Sequence, residues 1–247
     1  MNIERIGSGS VLTRVRNTAA AFRGARVAEE PVRKRMVLEA GEATQYCVPE
    51  IAERTAGFLL LIAAGPIIAT SALVVSALSR RSPFVAHRRV GRNGQLFWML
   101  KLRTMWDRHS DHPSEEKWVE RIVAEPAADH KNAADPRVTS RIAAFFRRHS
   151  IDEFPQLWHV ARGEMSLVGP RPLTQTELLR HYGEHAAELL CAKPGLTGLW
   201  QICGRSTVKF PERVALDLEL VRTLKLKSYL TILLRTLPAL FHGNGAW

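Results

Sequence analysis

A disulfide or zinc framework is the first thing this 247-residue chain lacks. Its three cysteines, Cys47, Cys191 and Cys203, are odd in number, widely spaced and without a C-x-x-C pair. That argues against a disulfide scaffold or a cysteine zinc site and fits a reducing setting. The opening MNIERIGSGS lacks the apolar core of a secretory signal, so none is expected. No internal repeat is visible. No block of like charge is long enough for a nucleic-acid tail, although the net charge is +11. One more absence is the most telling. The stretch from Gly57 to Leu78, GFLLLIAAGPIIATSALVVSAL, contains no charged residue.

What is there narrows the class. The chain is long enough for one domain or two small ones and can bury a real core. An apolar share of 46% is ordinary for a globular protein. The positive balance calls for an anionic partner: nucleic acid, a membrane surface or phosphates. Residues 1–52 read as a polar extension, in which Thr13 to Arg26 has the makings of a basic helix but too little apolar content to fold alone.

The uncharged stretch has the roughly 20 residues that a membrane helix needs. Both its flanks are basic: Arg33, Lys34, Arg35 and Arg54 precede it, and Arg80, Arg81, Arg88, Arg89 and Arg92 follow. A straight span would put one basic flank on the wrong side. A hairpin that enters and leaves by one face keeps both in the cytoplasm. Gly65 and Pro66, near the middle, supply the break, because proline cannot donate to the helix ladder and clashes with the carbonyl four residues back. Thr70 and Ser71 are at hand to satisfy freed backbone groups.

Further along, Arg92-Asn93-Gly94 signals a turn between two extended runs. Lys101 and Arg103 share a strand face by period two, and two cations on one face suit a diphosphate. Asp107 to Ala134 reads as a loop with a short helix at Glu115 to Val123. Its His109, Asp111 and His112 lack a second ligand cluster and are read as solvated. A helix with an apolar face of Ile142, Phe145 and Phe146 comes next. Leu173 to Leu190 has Leu178, Leu179 and Tyr182 at helical spacing. Asp217 to Leu240 reads as a helix lying at a lipid surface, with Lys225, Lys227 and Tyr229 snorkelling.

The centre of the chain is Ser150 to Leu173, SIDEFPQLWHVARGEMSLVGPRPL. Asp152 and Glu153 adjoin there, with Arg147 and Arg148 before them and Arg171 between Pro170 and Pro172. On a helix, adjacent side chains diverge by about 100°, so one acid can face a substrate while its neighbour holds an ion. The plainer reading is a first-turn acidic pair, with Ser150 as N-cap and Glu153 in a capping box.

Taken whole, this stretch resembles the bacterial sugar transferase family, the monotopic phosphoglycosyl transferases. The pattern R-K-x-S-[LI]-D-E-[LF]-P-Q-L is met by Arg147, Arg148, Ser150, Ile151, Asp152, Glu153, Phe154, Pro155, Gln156 and Leu157. The match continues through Gly163, Glu164, Met165, Ser166 and Gly169 to Pro172, with His159 in place of the usual Asn. Arg89, Gly91, Gly94, Phe97, Lys101, Leu102, Arg103, Thr104 and Met105 follow a second family pattern. Asp135 to Thr139 follows a third. Lys193 to Arg205, KPGLTGLWQICGR, follows a fourth that includes Gln201. The resemblance runs from about Arg54 to Arg235. Gly57 stands where the family has Asp, and Gly-Pro replaces the usual Ser-Pro of the membrane hairpin.

The resemblance implies an α/β, mostly helical, small monotopic membrane enzyme. It would have a kinked re-entrant helix at 53–80, interfacial amphipathic helices, and a cytosolic catalytic domain at 81–247. It would sit in the bacterial inner membrane. It would move a sugar 1-phosphate from a nucleotide sugar, usually a UDP sugar, to polyprenyl (undecaprenyl) phosphate, initiating exopolysaccharide, capsule, O-antigen or related synthesis. Asp152 would be the nucleophile and Glu153 the ligand of Mg2+ (or Mn2+). Lys101, Arg103, Arg147, Arg171 and Arg205 would grip phosphates. Gln156, Pro170, Pro172 and Gln201 would line the nucleotide pocket. The partners are the nucleotide sugar, the polyprenyl phosphate and the bilayer, with no nucleic acid; a homodimer is left open. The alternatives are a catalytically silent membrane scaffold of this fold and, last, a basic nucleic-acid-binding module. The intact Asp152, Glu153 and Arg171 weigh against the first, and the uncharged stretch against the second.

Overall fold

A computed structural model describes residues 48–105, 119–122, 140–203 and 208–242. The readings made for residues 1–47, for the histidine-rich loop, for Asp135 to Thr139 and for Arg205 lie outside the described residues. The rest forms a mostly helical α/β fold with one long apolar helix.

That helix, α1 (Glu50–Ser79), starts after Pro49 with Glu50 and Glu53 in its first turn, where acids complement the helix dipole. It ends at Arg80, whose left-handed backbone (φ 55°) lets its N–H reach the Ser76 carbonyl at 2.9 Å. It is long and apolar enough to cross a membrane. Phe58, Leu59, Leu60, Ile62, Ile67 and Leu73 are exposed. The helix runs unbroken through Gly65 and Pro66. Thr70 does bond backbone, but its hydroxyl donates to the Pro66 and Ile67 carbonyls, not to the Ile62 carbonyl four residues before the proline.

The first turns of α1 are locked to the rest of the fold. Gly57 lies so close to α3 (Leu157–Arg162) that a Cβ there would meet Val160 Cγ1 at 2.7 Å. Glycine at this position permits the close approach. Arg54 Nε donates to the Ala161 carbonyl at the end of α3 (3.1 Å). Glu53 is only 4% exposed, and its Oε1 accepts from Ser166 Oγ, the Leu167 N–H and Tyr229 Oη. One carboxylate oxygen thereby joins α1, β4 (Ser166–Val168) and α8 (Leu226–His242).

β1 (Phe84–Val90) and β2 (Leu96–Leu102) form the expected hairpin. Its turn needs positive φ at Asn93 (55°) and Gly94 (73°), which Asn and Gly tolerate best. β3 (Val119–Ile122) lies parallel to β1. This corrects the helix expected at Glu115 to Val123: cross-strand pairing overrides local propensity there. In the sheet, Lys101 stands opposite Val85, Met99 opposite His87 and Phe97 opposite Arg89. Met99 belongs to a core with Leu157, Val160, Met165, Val168 and Ile232, against which Leu61 and Ala64 of α1 pack.

A second sheet pairs β4 with β5 (Gly195–Thr197) in parallel. Glycines set this contact. A Cβ on Gly195 would overlap the backbone of Gly169, and one on Gly198 would lie 2.5 Å from the Gly169 carbonyl oxygen.

Other elements depart from expectation. The helix α2 (Arg141–Arg148) buries Ala143 and Phe146 but exposes Ile142 and Phe145, so the apolar face is split. The segment after Leu173 is not one helix. A one-turn α4 (Gln175–Glu177) with a Thr174–Glu177 capping box leads into a π-turn (Leu178–Tyr182). The chain then breaks at Gly183 before α5 (Ala186–Leu189). The C-terminal apolar run is two helices, α7 (Phe210–Thr223) and α8, joined at Leu224–Lys225. Lys225 and Lys227 are exposed as expected, but Tyr229 points inward to Glu53 rather than snorkelling.

Candidate active site

The acidic pair does not sit in a capped α-helix. Ile151–Gln156 is a 3-10 turn entered from Ser150, whose left-handed backbone (φ 55°) makes no side-chain cap. The capping-box reading fails for that reason; it is the Glu153 N–H that bonds the Ser150 carbonyl, at 3.0 Å. With about 3.0 residues per turn, Asp152 and Glu153 diverge even more than on an α-helix. Both are half-buried.

Lys101, at the end of β2, meets this turn: its Nζ lies 3.0 Å from Glu153 Oε1. Lys101 is thus paired with the chain's own acid. α2 packs on the same turn and supplies Arg147, which is 9% exposed. The Arg147 guanidinium makes no hydrogen bond or ion pair among the described residues. Gln156 is buried beneath the turn. Arg103 is buried too, and its Nε donates to the Ser82 carbonyl at 2.8 Å, so part of its fork is committed to the protein.

His159 explains the departure from Asn. Its Nε2 accepts the Leu100 N–H at 3.0 Å, so the ring proton is on Nδ1 and is donated to Glu164 Oε2 at 2.6 Å. Phe97 meets the ring edge-on. Burial lowers the imidazole below its ordinary value, and Glu164 only partly opposes this. The neutral ring fastens α3 to β2 one residue before Lys101. On the Lys101 face of the sheet, burial and the nearby cations Lys101, Arg89 and Arg103 bring His87 down to about 4.

A second group surrounds Arg171. Its N–H donates to Asp217 Oδ1 at 3.4 Å, and Tyr182 Oη donates to Asp217 Oδ2 at 2.7 Å. Asp217 is fully buried (0% exposed). Burial lifts it to about 6, against the lowering effects of Tyr182, Arg171 and Arg213. Burial and the adjacent Asp217 push the Tyr182 phenol well up. Arg89 pairs with Glu177 at 3.0 Å. Burial raises the Glu177 carboxyl, but Arg89 and the Thr174 hydrogen bonds outweigh it and hold the group below its ordinary value. The Arg171 guanidinium lies 5.1 Å from the Trp200 ring centroid and makes no ion pair among the described residues. Arg213 lies 5.2 Å from the same centroid.

Of the expected residues, the structure brings Lys101 to Glu153 on one turn with Asp152. Pro170 is buried, its carbonyl accepting the Gly195 N–H at 2.8 Å, and Pro172 is half-buried. Gln201 follows Trp200 in α6 (Leu199–Cys203). Sequence reasoning gave no site role to His87, Arg89, Tyr182, Trp200, Arg213 or Asp217. The one signal for Asp217 was an acid inside the apolar run VALDLELV.

Among the described residues no three His, Cys, Asp or Glu side chains gather as a metal cage. Two adjacent carboxylates are a different donor set. They fit Mg2+ in its usual mode, held by one or two carboxylates and completed by substrate phosphates.

A membrane-length helix, an adjacent acid pair met by a lysine, and an arginine loop packed against a glycine turn make up the candidate site. The chain belongs to the bacterial sugar transferase family, whose profile matches residues 44–243. It is 40% identical over 191 residues to the exopolysaccharide production protein ExoY of Sinorhizobium fredii, covering 76% of this chain and 83% of that relative. It is 42% identical over 167 residues to the UDP-galactose-lipid carrier transferase of Erwinia amylovora, covering 67% of this chain and 35% of the relative. The undecaprenyl-phosphate galactose phosphotransferase of Salmonella typhimurium is 40% identical over 167 residues, covering 65% of this chain and 34% of the relative. The chain therefore spans about a third of the length of the last two.

Proposed function

We propose that this protein transfers a sugar 1-phosphate from a nucleotide sugar, by family preference a UDP sugar, to polyprenyl phosphate at a bacterial inner membrane. The observation that carries the reading is the half-buried Asp152–Glu153 turn with Lys101 on Glu153. The names of the relatives supply the substrate class.

Asp152 attacks the phosphorus that bears the sugar. Its carboxylate oxygen forms the new P–O bond, the anhydride P–O bond breaks, and the nucleoside monophosphate leaves with the electron pair. A polyprenyl phosphate oxyanion then attacks the same phosphorus and returns Asp152 as carboxylate. Two anions meet in each step, so cations are needed. Arg147 and Arg171, whose guanidiniums have no protein acceptor among the described residues, suit that task. Glu153 would hold Mg2+, which supplies charge neutralisation for the diphosphate when bound. Arg205 has the same assignment by family pattern alone.

The lipid acceptor gives α1 its purpose. The basic flanks favour re-entry through the cytoplasmic face with a bend at Gly65-Pro66, and the exposed Leu226, Leu230 and Leu234 of α8 favour a helix at the interface. Cysteine labelling at both ends of α1 tests the topology; ends on opposite faces exclude the hairpin. The activity is tested on membrane fractions with a panel of nucleotide sugars, reading released nucleoside monophosphate. No release from any donor, with added polyprenyl phosphate and Mg2+, defeats the reading in favour of a silent scaffold.

A further inference from the structure

Trp200 is 8% exposed, and its Nε1–H has no hydrogen-bond acceptor among the described residues. Buried indole N–H groups are normally paired. The next residue, Gln201, has a buried Oε1 that is equally unmatched among the described residues. On the Trp200 ring two guanidiniums are held, Arg171 at 5.1 Å and Arg213 at 5.2 Å. Stacking on an indole accounts for a cation near the ring face. Asp217 offsets part of the charge of the two guanidiniums, but nothing among the described residues accepts from the indole N–H. An oxyanion would accept from the indole and draw the Arg171 guanidinium.

The surroundings hold these groups in place. Arg213 Nε donates to the Val208 carbonyl at 2.8 Å, which fixes the orientation of its fork. Asp217 holds the Arg171 backbone and is itself held by Tyr182. Gly198 lets α6 start against the Gly169 carbonyl, so the Arg171 loop and the Trp200 helix are in backbone contact. The Arg171 guanidinium has no protein acceptor among the described residues.

We propose that Trp200 and Arg213 complete, with Arg171, a subsite for a substrate phosphate oxyanion, the indole N–H and the two guanidiniums all donating to it. This rests on the sugar-phosphate transferase reading. Nucleotide sugar and polyprenyl phosphate both carry such an oxyanion, and separate arms of the test distinguish them.

The test uses the full chain in detergent or nanodiscs. Trp200→Phe keeps the ring as a shelf and removes only the N–H donor. Arg213→Lys keeps the charge and removes the planar fork. KM and kcat are measured for the nucleotide sugar and for undecaprenyl phosphate, and binding of UDP and of undecaprenyl phosphate is measured by titration without turnover. Loss of one hydrogen bond to a charged group predicts about a tenfold rise in one KM and a matching loss of binding for that compound. The other compound should be unmoved, kcat should be nearly unchanged, and both variants should act on the same arm. A rise for the donor and UDP assigns the subsite to the nucleotide sugar; a rise for the lipid assigns it to the acceptor. If both variants melt like wild type and neither arm moves, the subsite is overturned. It is also overturned if kcat, both KM values and the melting temperature all worsen together, since that marks general loosening. If wild type turns over nothing but Trp200→Phe still weakens UDP binding, the subsite stands and the transferase reading falls.

Discussion

Removing the Glu53 carboxylate should be among the most damaging single changes outside the acidic pair. Glu53→Ala deletes an oxygen shared by three donors. The Ser166 hydroxyl has a second acceptor in the Val168 carbonyl at 2.8 Å, so it loses least. The Leu167 N–H cannot turn away, and Tyr229 Oη is buried with its ring. Two stranded donors at roughly 1–3 kcal/mol each give a loss of about 2–6 kcal/mol. For a chain of this size that is a drop in melting temperature of roughly 4–24 °C. Glu53→Gln keeps an acceptor oxygen without the charge, and neutral hydrogen bonds are about half as strong, so its loss should be well under that of alanine. The assay is loss of monodisperse protein on heating, at one scan rate in one detergent, for Glu53→Ala, Glu53→Gln, Tyr229→Phe and the Glu53→Ala/Tyr229→Phe double variant. The double variant should lose less than the sum of the singles, by about 1 kcal/mol. Strict additivity, or a Glu53→Ala protein that melts with wild type, would refute the shared-acceptor account.

Asp152→Asn should abolish both turnover and label transferred from radiolabelled nucleotide sugar to the protein, while Glu153→Gln should recover part of its activity in excess Mg2+. Label surviving on Asp152→Asn would sink the nucleophile assignment. His159 and His87 both titrate below the ordinary value of 6.5 when folded, His87 at about 4. The unfolded chain therefore takes up protons first, and their contribution to stability is whole above pH 6.5 and is lost as pH falls below it. His159→Asn should flatten the acid limb of a melting-temperature profile; an unchanged limb would contradict the neutral-ring assignment. Gly198→Ala should disable folding or activity because its Cβ would lie 2.5 Å from the Gly169 carbonyl oxygen. Gly65→Ala meets nothing within 4 Å and should stabilise α1 by about 1 kcal/mol; equal tolerance at the two glycines would remove the steric argument.

Local signals were legible in the sequence wherever one residue type had one cause. The uncharged run gave α1, and Asn93-Gly94 gave the hairpin turn, because each rests on chain geometry close at hand. The strand at Val119–Ile122 was not legible, since it forms only by adding to β1 from across the fold. Of the stripe Leu178, Leu179 and Tyr182, the first and last are buried but Leu179 is exposed, because a π-turn replaces the regular helix and Gly183 ends it. Tyr229 looked like a lipid-surface tyrosine because its partner, Glu53, is far away in sequence. In the site, motif spacing led to Asp152, Glu153 and Lys101. It could not lead to Trp200, Arg213 or Asp217, whose roles come from long-range contacts with Arg171 and Tyr182.

The glycine contact between the Arg171 loop and the Trp200 helix bears on how such an enzyme can be re-engineered. There the distance between two functional elements is set by main chain against main chain, with no side chain as spacer. Altering the side chain at Trp200 or Gln201 therefore leaves the backbone mounting of Arg171 untouched, while the Trp200 ring bears on its guanidinium. A library that varies those two positions and holds Gly169, Gly195 and Gly198 constant would explore ligand preference on an unchanged chassis.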